Sequence, residues 1–215
     1  MQHAEWTVNG EELVLLTQKA IWWPTEQALI ISDFHLGKAS HFRKAGIPVP
    51  FSVYYQNIEK FVQLLQWRKP QRVIFLGDLF HSAHNKEWQY FTSVLEQFAH
   101  IKFELVLGNH DILDESHFTK SGLKLHTELR IRSFYLTHEP CEEMVPKQVN
   151  LCGHIHPSVV MRGKARQGVQ LPCFYFNGYN LIMPAFGEFT GSHKMKPSAK
   201  HEIFVIAGNK VLKVN

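Results

Sequence analysis

The 215-residue chain is poor in cysteine, with three at Cys141, Cys152 and Cys173. An odd number without regular spacing argues against the disulfide framework that small secreted domains use. No Cys-x-x-Cys pair is present, so nothing suggests a structural zinc site built on thiolates. We therefore predict three free or partly buried thiols, because free cysteine behaves as a small apolar side chain.

Long hydrophobic runs are also lacking. No stretch reaches the roughly 18–20 apolar residues that a membrane-spanning helix needs. The N-terminus lacks the basic region and apolar stretch of a signal peptide, so we expect a cytoplasmic location. With 45% hydrophobic and 20% charged residues, the chain is predicted to form a single globular domain over residues 1–215. The net charge of +4 permits a polyanionic partner without requiring one.

The first half of the chain alternates strand-like and helix-like patterns. The turn signal Asn9-Gly10 between two apolar-rich runs predicts a β-hairpin. Beyond it, we predict strands at 28–31, 73–76 and 103–107, and helices at about 52–67 and 86–99. Glycine and proline are frequent between residues 36 and 50, which predicts a long loop.

The second half is predicted to be mostly strand. Apolar runs predict strands at 131–137, 149–152, 159–161, 169–176, 181–183, 203–206 and 211–214. An alternating first half followed by a strand-rich second half indicates an α/β protein. A four-layer α/β/β/α sandwich of two mixed sheets, with helices outside, accommodates this order.

Potential metal ligands occur in short clusters at the ends of the predicted strands. The clusters are Asp33-Phe34-His35, Gly77-Asp78, Gly108-Asn109-His110-Asp111, His138 and Gly153-His154-Ile155-His156. Open α/β sheets bind ligands at the carboxyl ends of their strands. Residues two apart in an extended segment point the same way, so each Asp-x-His or His-x-His pair can face one cavity. The preceding glycines are expected to allow tight turns or positive φ where a strand releases its ligand.

The types of side chain indicate which metals are suitable. Imidazoles and carboxylates without thiolates favour Mn, Fe, Zn, Co or Ni over Mg or Ca. The Asp78 carboxylate has two oxygens and can bridge two cations, while Asn109 offers a neutral oxygen. We predict two divalent ions, with Mn²⁺ preferred and Zn or Fe as alternatives.

The order DxH…GD…GNHD…H…GHxH resembles the calcineurin-like metallophosphoesterase superfamily. The resemblance implies a two-sheet sandwich and two metal sites that share Asp78. One metal would be bound by Asp33, His35, Asp78 and His156, and the other by Asp78, Asn109, His138 and His154. A hydroxide bridging the two metals would attack the phosphorus of a phosphoester.

Three neighbouring residues are candidates for catalysis. His110 is the candidate acid for the leaving oxygen, because an imidazole titrates near neutral pH. Asn109 would help to stabilise charge on the phosphate. Asp111 has two open interpretations, since it can orient the ring of His110 or cap a turn.

Two loops resemble one branch of the superfamily, the bacterial ligase-associated DNA-damage-response phosphoesterases. These loops are residues 32–48 and Pro184–Gly191. The resemblance implies a DNA-repair endonuclease or phosphodiesterase acting on DNA, which we expect to be single-stranded. Its expected partners are an ATP-dependent DNA ligase, a helicase and a β-lactamase-fold nuclease. Arg43, with His41 and Lys38, is the candidate phosphate-binding group outside the metal ligands.

Other functions remain open at this stage. Ser32-Asp33-Phe34-His35-Leu36 also resembles the pyrophosphatase that cleaves UDP-diacylglucosamine, although no inserted helical lid is evident. A phosphomonoesterase would need the same metal ligands, whereas a non-enzymatic scaffold should have lost some of them. Trp22, Trp23, Phe42 and Tyr179 could stack on bases if exposed, but are more readily explained as core residues.

Overall fold

The computed structural model describes residues 2–38, 52–80, 86–162, 167–188 and 190–214, with side chains described from residue 55 onward in the second of these ranges. In these residues the first sheet has seven strands, ordered as in the chain. They are β1 (Ala4–Val8), β2 (Glu11–Leu16), β3 (Ala20–Trp23), β4 (Ala28–Ser32), β5 (Arg72–Leu76), β6 (Lys102–Val106) and β7 (Leu123–His126). Strands β1 to β4 pair antiparallel, whereas β4 to β7 are parallel.

The second sheet is also mixed and has nine strands in the described part of the chain. They are β8 (Leu129–Ile131), β9 (Phe134–Leu136), β10 (Val149–Cys152), β11 (Pro157–Arg162), β12 (Gly168–Phe176), β13 (Asn180–Ile182), β14 (His193–Lys194), β15 (Glu202–Ala207) and β16 (Lys210–Lys213). Strand β10 runs parallel to both of its neighbours, β9 and β13, while most other pairs are antiparallel.

Three described helices cover the outer face of the first sheet. They are α1 (Ser52–Arg68), α2 (Lys86–Gln97) and α3 (Glu115–Lys120). Their apolar faces form one core with alternate residues of the strands, in which Phe61 of α1 and Phe91 of α2 meet Phe75 of β5. The ring of Phe34, from the loop after β4, packs between these helices at 5.7 Å from Phe61. The loop that carries Asp33 and His35 is therefore anchored in the helix layer.

A second core joins the inner faces of the two sheets. Ile74 and Trp23 of the first sheet pack with Phe134, Leu151 and Phe174 of the second. The rings of Trp23 and Phe134 meet edge to face, 4.9 Å apart. The sandwich of two mixed sheets predicted from the sequence is confirmed.

The outer face of the second sheet has no helical cover among the described residues. A small apolar cluster there includes Cys173 and Val205 and packs against Met195 in the segment that follows β14. The Tyr175 hydroxyl donates to the Lys196 carbonyl at 2.9 Å, which ties this segment to the sheet. Since the cluster is small, irregular chain is enough to bury it, and the predicted fourth layer is not helical in this part of the structure.

Several elements differ from the sequence-based expectation. Strand β3, helix α3 and strand β7 are too short or too irregular in pattern to be predicted. The single strand expected at 131–137 is a hairpin of β8 and β9, because Arg132 turns the chain with φ of 51°. All three cysteines are free, as predicted, with Cys141 partly buried and the other two buried. No helix in the described ranges is long and apolar enough to cross a membrane.

A network of charged side chains links the parallel strands β5, β6 and β7. The carboxylate of Glu104 in β6 is fully buried and contacts Arg72, Lys102 and His126. Burial raises the pKa of the Glu104 carboxyl. Hydrogen bonds from Arg72, Lys102 and His126, together with electrostatic attraction to Arg72, lower this pKa by more. The pKa therefore lies below its ordinary value of 4.5.

We expect Glu104→Gln to destabilise the protein by about 3 kcal/mol at pH 7, because it removes the charge that compensates a partly buried arginine. Because the pKa of Glu104 is lower in the folded than in the unfolded protein, its ionised carboxylate stabilises the fold fully above the unfolded-state pKa. This stabilisation is lost as the pH falls through the folded-state pKa. The difference from wild type should therefore shrink below about pH 4.5. Urea unfolding at pH 7 and below about pH 4.5 measures this difference in stability, with the exposed Glu12→Gln as the control. Equal stability of Glu104→Gln and wild type at pH 7 would contradict the prediction.

Candidate metal centre

The ligand clusters meet because five strands end at the same side of the sandwich. Parallel strands β4, β5 and β6 are neighbours in the first sheet, and β9 and β10 are parallel neighbours in the second. The loops after these strands carry the clusters that the sequence indicated. The backbone N–H of His154 donates to the Asp33 carboxylate at 3.0 Å, so the loop after β10 is fastened to the loop after β4.

Five of the ligand residues adopt a left-handed backbone conformation. The φ angles are 52° at Asp33, 51° at His35, 51° at Asp78, 65° at His154 and 52° at His156. This region is uncommon outside glycine, although Asp and His tolerate it better than most residues. Such conformations cost about 1 kcal/mol or more each and persist only where the surroundings impose them.

Two of the three glycines beside the ligands have a different role from the one expected. Gly77 has φ of 74°, but no such angle occurs at Gly108 or Gly153. A Cβ at Gly153 would lie 2.3 Å from the Asp33 carboxylate, and one at Gly108 would lie 2.4 Å from the Asp78 nitrogen. These two glycines are needed because neighbouring loops approach too closely for a side chain.

The first group of ligands combines Asp33, His35 and His156. The Nε2 atom of His156 lies 3.1 Å from Oδ1 of Asp33 and 3.3 Å from Nε2 of His35. The His35 Nε2 is also 3.7 Å from Oδ2 of Asp78. Four of the predicted ligands therefore converge in the arrangement expected for one cation.

The second group is arranged around His138. Its Nε2 lies 3.4 Å from Oδ1 of Asp78, 3.0 Å from Oδ1 of Asn109 and 3.2 Å from Nδ1 of His154. Asp78 contributes one carboxylate oxygen to each group. This is the geometry expected of a carboxylate that bridges two cations.

The donor atoms in these two groups suit divalent cations. Asp33 and Asp78 are 0% and 2% exposed, and two buried like charges need positive charge nearby. His138 Nδ1 is 3.0 Å from the Leu76 carbonyl, and His156 Nδ1 is 3.0 Å from the Gly191 carbonyl. A ring that donates from Nδ1 presents the lone pair of Nε2, so both imidazoles are oriented as metal ligands.

The carbonyl of Gly191 was not among the predicted site residues. It belongs to the segment 184–191, which makes two further hydrogen bonds to the ligand loop. The Phe186 backbone N–H donates to the Ser32 carbonyl at 2.9 Å, and the Gly187 backbone N–H donates to the Asp33 carbonyl at 3.1 Å. These are backbone contacts, so only the resemblance of Pro184–Gly191 to one branch of the superfamily signalled their importance.

His110 borders the metal ligands. Its backbone N–H donates to Oδ1 of Asp78 at 2.9 Å, and its partly exposed ring lies 6.0 Å from the ring of His35, centroid to centroid. The position is compatible with the predicted role as an acid for the leaving group.

Asp111 is a positioning residue. Its carboxylate accepts hydrogen bonds from the backbone N–H groups of Leu79, Phe80 and Gly108, at 2.8, 3.1 and 2.9 Å. Of the two interpretations left open by the sequence, these bonds favour the turn cap over orientation of the His110 ring. Burial raises the pKa of Asp111 to about 6, although the three backbone hydrogen bonds oppose this shift.

The predicted substrate-binding residues can be located only in part. Lys38 lies beside the metal centre: burial lowers the pKa of its ammonium group, while attraction to Asp78 and Asp33 raises it, with a net decrease. His41 and Arg43 lie outside the described residues. Binding of phosphate by these three side chains remains a prediction.

We expect Asp111→Asn to lower the free energy of unfolding of the metal-free protein by about 2 kcal/mol, because its amide would face a backbone N–H and leave donors unpaired. Urea unfolding in EDTA measures this. Asp114→Asn is the matched control, since Asp114 caps α3 by accepting from Ser116 N–H and asparagine caps equally well. Unchanged stability together with lost turnover would instead support orientation of His110.

Comparison of the whole structure with solved structures gives a strong match to a nuclease. The Pseudomonas putida nuclease MPE superposes with a TM-score of 0.85 and 26% sequence identity, covering 99% of this chain and 100% of that one. Two weaker matches are a phosphoesterase, Yfce, from E. coli and a protein of unknown function, AQ665, from Aquifex aeolicus. The Yfce structure has a TM-score of 0.44 and 14% sequence identity, covering 87% of this chain and 97% of that one. The AQ665 structure has a TM-score of 0.42 and 17% sequence identity, covering 60% of this chain and 78% of that one.

A search of curated protein sequences gives no significant match. The family model for calcineurin-like phosphoesterases matches residues 27–156, a range that contains both metal-ligand groups and His110. This agreement of sequence, fold and dinuclear ligand geometry identifies a metal-dependent hydrolase of phosphoesters. The chain belongs to the calcineurin-like phosphoesterase family.

Proposed function

We propose that the protein is a nuclease that hydrolyses phosphodiester bonds in DNA, preferentially in single strands, during DNA repair. The observation that carries the substrate class is the likeness to the Pseudomonas putida nuclease, which extends over nearly the full length of both chains. The chemistry of phosphoester hydrolysis does not itself select DNA, so DNA cleavage and hydrolysis of a small phosphodiester have to be measured separately.

When bound, two divalent cations supply Lewis acidity towards the phosphate and a nucleophile at neutral pH. Asp33 and Asp78 provide the buried negative charge for their binding, and the imidazoles provide neutral ligands. The exposed Asn109 amide would donate to a phosphate oxygen, and Lys38 would add positive charge at the same edge. The His110 ring would give a proton to the leaving oxygen.

The access to the site favours a large substrate. Asn109 is exposed and His110 is partly exposed, and the described helices α1 to α3 pack on the outer face of the first sheet. This exposure is compatible with a polymeric diester, and a lipid pyrophosphate is the alternative outcome.

We propose Mn²⁺ as the preferred metal, with Zn²⁺ or Fe as alternatives, since imidazole and carboxylate ligands without thiolates suit these ions better than Mg²⁺ or Ca²⁺. A cytoplasmic location and association with an ATP-dependent DNA ligase, a helicase and a β-lactamase-fold nuclease belong to the same proposal. Their support is the branch resemblance of residues 32–48 and Pro184–Gly191.

We expect His110→Ala to retain both metal ions and to lower kcat on DNA by about 100-fold or more, because general acid catalysis contributes on this scale. Metal analysis of the purified variant and steady-state kinetics measure the two properties. The exposed His100→Ala serves as control for loss of an imidazole away from the site. Normal turnover of His110→Ala would exclude it as the acid.

We expect the wild-type protein with Mn²⁺ to cleave an end-labelled single-stranded DNA and to be inhibited by EDTA. A parallel assay with bis-aryl phosphate reports the metal centre independently of DNA binding. Hydrolysis of the aryl diester without DNA cleavage would overturn the nuclease proposal and favour a small diester or pyrophosphate. Cleavage of a duplex in preference to a single strand would contradict only the strand preference.

A further inference from the structure

A second cavity lies between the β2–β3 turn and helix α1, outside the metal centre. It has a volume of about 340 Å³ and is lined by Gln18, Lys60, Gln63, Leu64 and Trp67. Ligand sites commonly have volumes of roughly 300–1,000 Å³. The cavity is thus large enough for a planar group of the size of a nucleobase, and its lining combines an aromatic ring, amides and an ammonium group.

This cavity is linked to the metal centre by a continuous set of contacts. The Lys60 ammonium donates to Oε1 of Glu188 at 2.7 Å, and the Lys19 ammonium donates to Oε2 of the same carboxylate at 3.1 Å. Lys19 and Glu188 also line a smaller cavity of about 160 Å³ that includes the metal-ligand residue His156. The Lys19–Glu188–Lys60 bridge therefore connects residues that line the two cavities, and a chain that leaves the metals past this bridge would reach the larger one.

The indole of Trp67 is a suitable stacking surface. It is 48% exposed, although tryptophan is usually well buried. The Arg68 guanidinium lies 3.9 Å from the centroid of its ring, and a cation over an indole restrains the ring by cation–π attraction. Exposed aromatic rings beside cationic side chains are the means by which proteins bind single-stranded nucleic acid without sequence preference.

The charges around the path favour a polyanion. Lys19, Lys60 and Arg68 are balanced by only one carboxylate among these contacts, that of Glu188. Burial lowers the pKa of Lys60 to about 8, although Glu188 opposes the shift, so the group is still mainly protonated at pH 7. Gln18 and Gln63 add side-chain amides, which can act as donors and acceptors for base edges.

We propose that this cavity is a base-stacking subsite, in which Trp67 stacks on a nucleobase of a single strand whose scissile phosphate lies at the metal centre. The proposal rests on the nuclease function proposed above, and it adds the place that the DNA strand reaches as it leaves the metal centre. The sequence pointed to other aromatics for stacking, but Trp23 is fully buried, Trp22 and Tyr179 are partly buried, and Phe42 lies outside the described residues.

The kinetic test uses Trp67→Ala, Trp67→Phe and the control Tyr90→Ala, which removes an equally exposed ring (45%) from α2. Substrates are bis-aryl phosphate, a dinucleotide and single-stranded oligonucleotides of increasing length. We expect Trp67→Ala to raise KM about tenfold on long strands, as loss of one stacked base implies, without changing kcat. The dinucleotide and bis-aryl phosphate should be unaffected, and Trp67→Phe should restore most of the affinity.

A binding measurement separates this inference from the nuclease proposal. Fluorescence anisotropy of a labelled oligonucleotide with a non-hydrolysable backbone, in the presence of Mn²⁺, needs no turnover, and we expect about a tenfold weaker Kd for Trp67→Ala but not for Tyr90→Ala. Failure of the wild type to cleave DNA would overturn the nuclease proposal but leave this difference in Kd. Equal Kd values for Trp67→Ala and wild type would overturn the stacking subsite, even if DNA is cleaved.

Discussion

Two buried carboxylates of like charge, Asp33 and Asp78, are the constraint on which the rest of the site depends. With His138 they form a group whose potential ligand atoms all lie within 4.8 Å of one another. Such a pair is strongly unfavourable in an apolar interior unless positive charge compensates it. The loops, glycines and backbone hydrogen bonds described above hold the pair together, and cations held by the surrounding imidazoles would compensate its charge.

The sandwich architecture makes this concentration of charge possible. Helices on the outer face of the first sheet and the core between the sheets fix the strands, and the ligands stand on loops that begin where these strands end. Phe34 is central to this arrangement, because it is buried in the helix layer between the two ligands Asp33 and His35. Asp33 and His35 therefore cannot shift without disturbing the aromatic core around Phe34.

The sequence was sufficient for the features that follow from local pattern. Apolar runs located most strands and the helices over 52–68 and 86–97, and the polar residues after those runs located the ligands. It was insufficient where tertiary contacts decide the outcome. Arg132 bends what reads as one strand, and Gly191 supports His156 through a carbonyl that any residue possesses. The reason for Gly108 and Gly153 was equally hidden, because close approach of two loops leaves no trace in spacing.

The left-handed backbone at five ligand positions has a consequence for how this centre can evolve or be redesigned. Only a few residue types accept such φ angles without a large penalty, and among metal-binding side chains these are Asp, Asn and His. The fold thus restricts the set of exchangeable ligands before any metal is considered. A thiolate variant that seeks softer metals would add a conformational cost at each of these sites, whereas a His-to-Asp or Asp-to-Asn exchange would add little to the cost already present. Metal preference in this scaffold is accordingly easier to adjust among hard and borderline ions than to convert to soft ones.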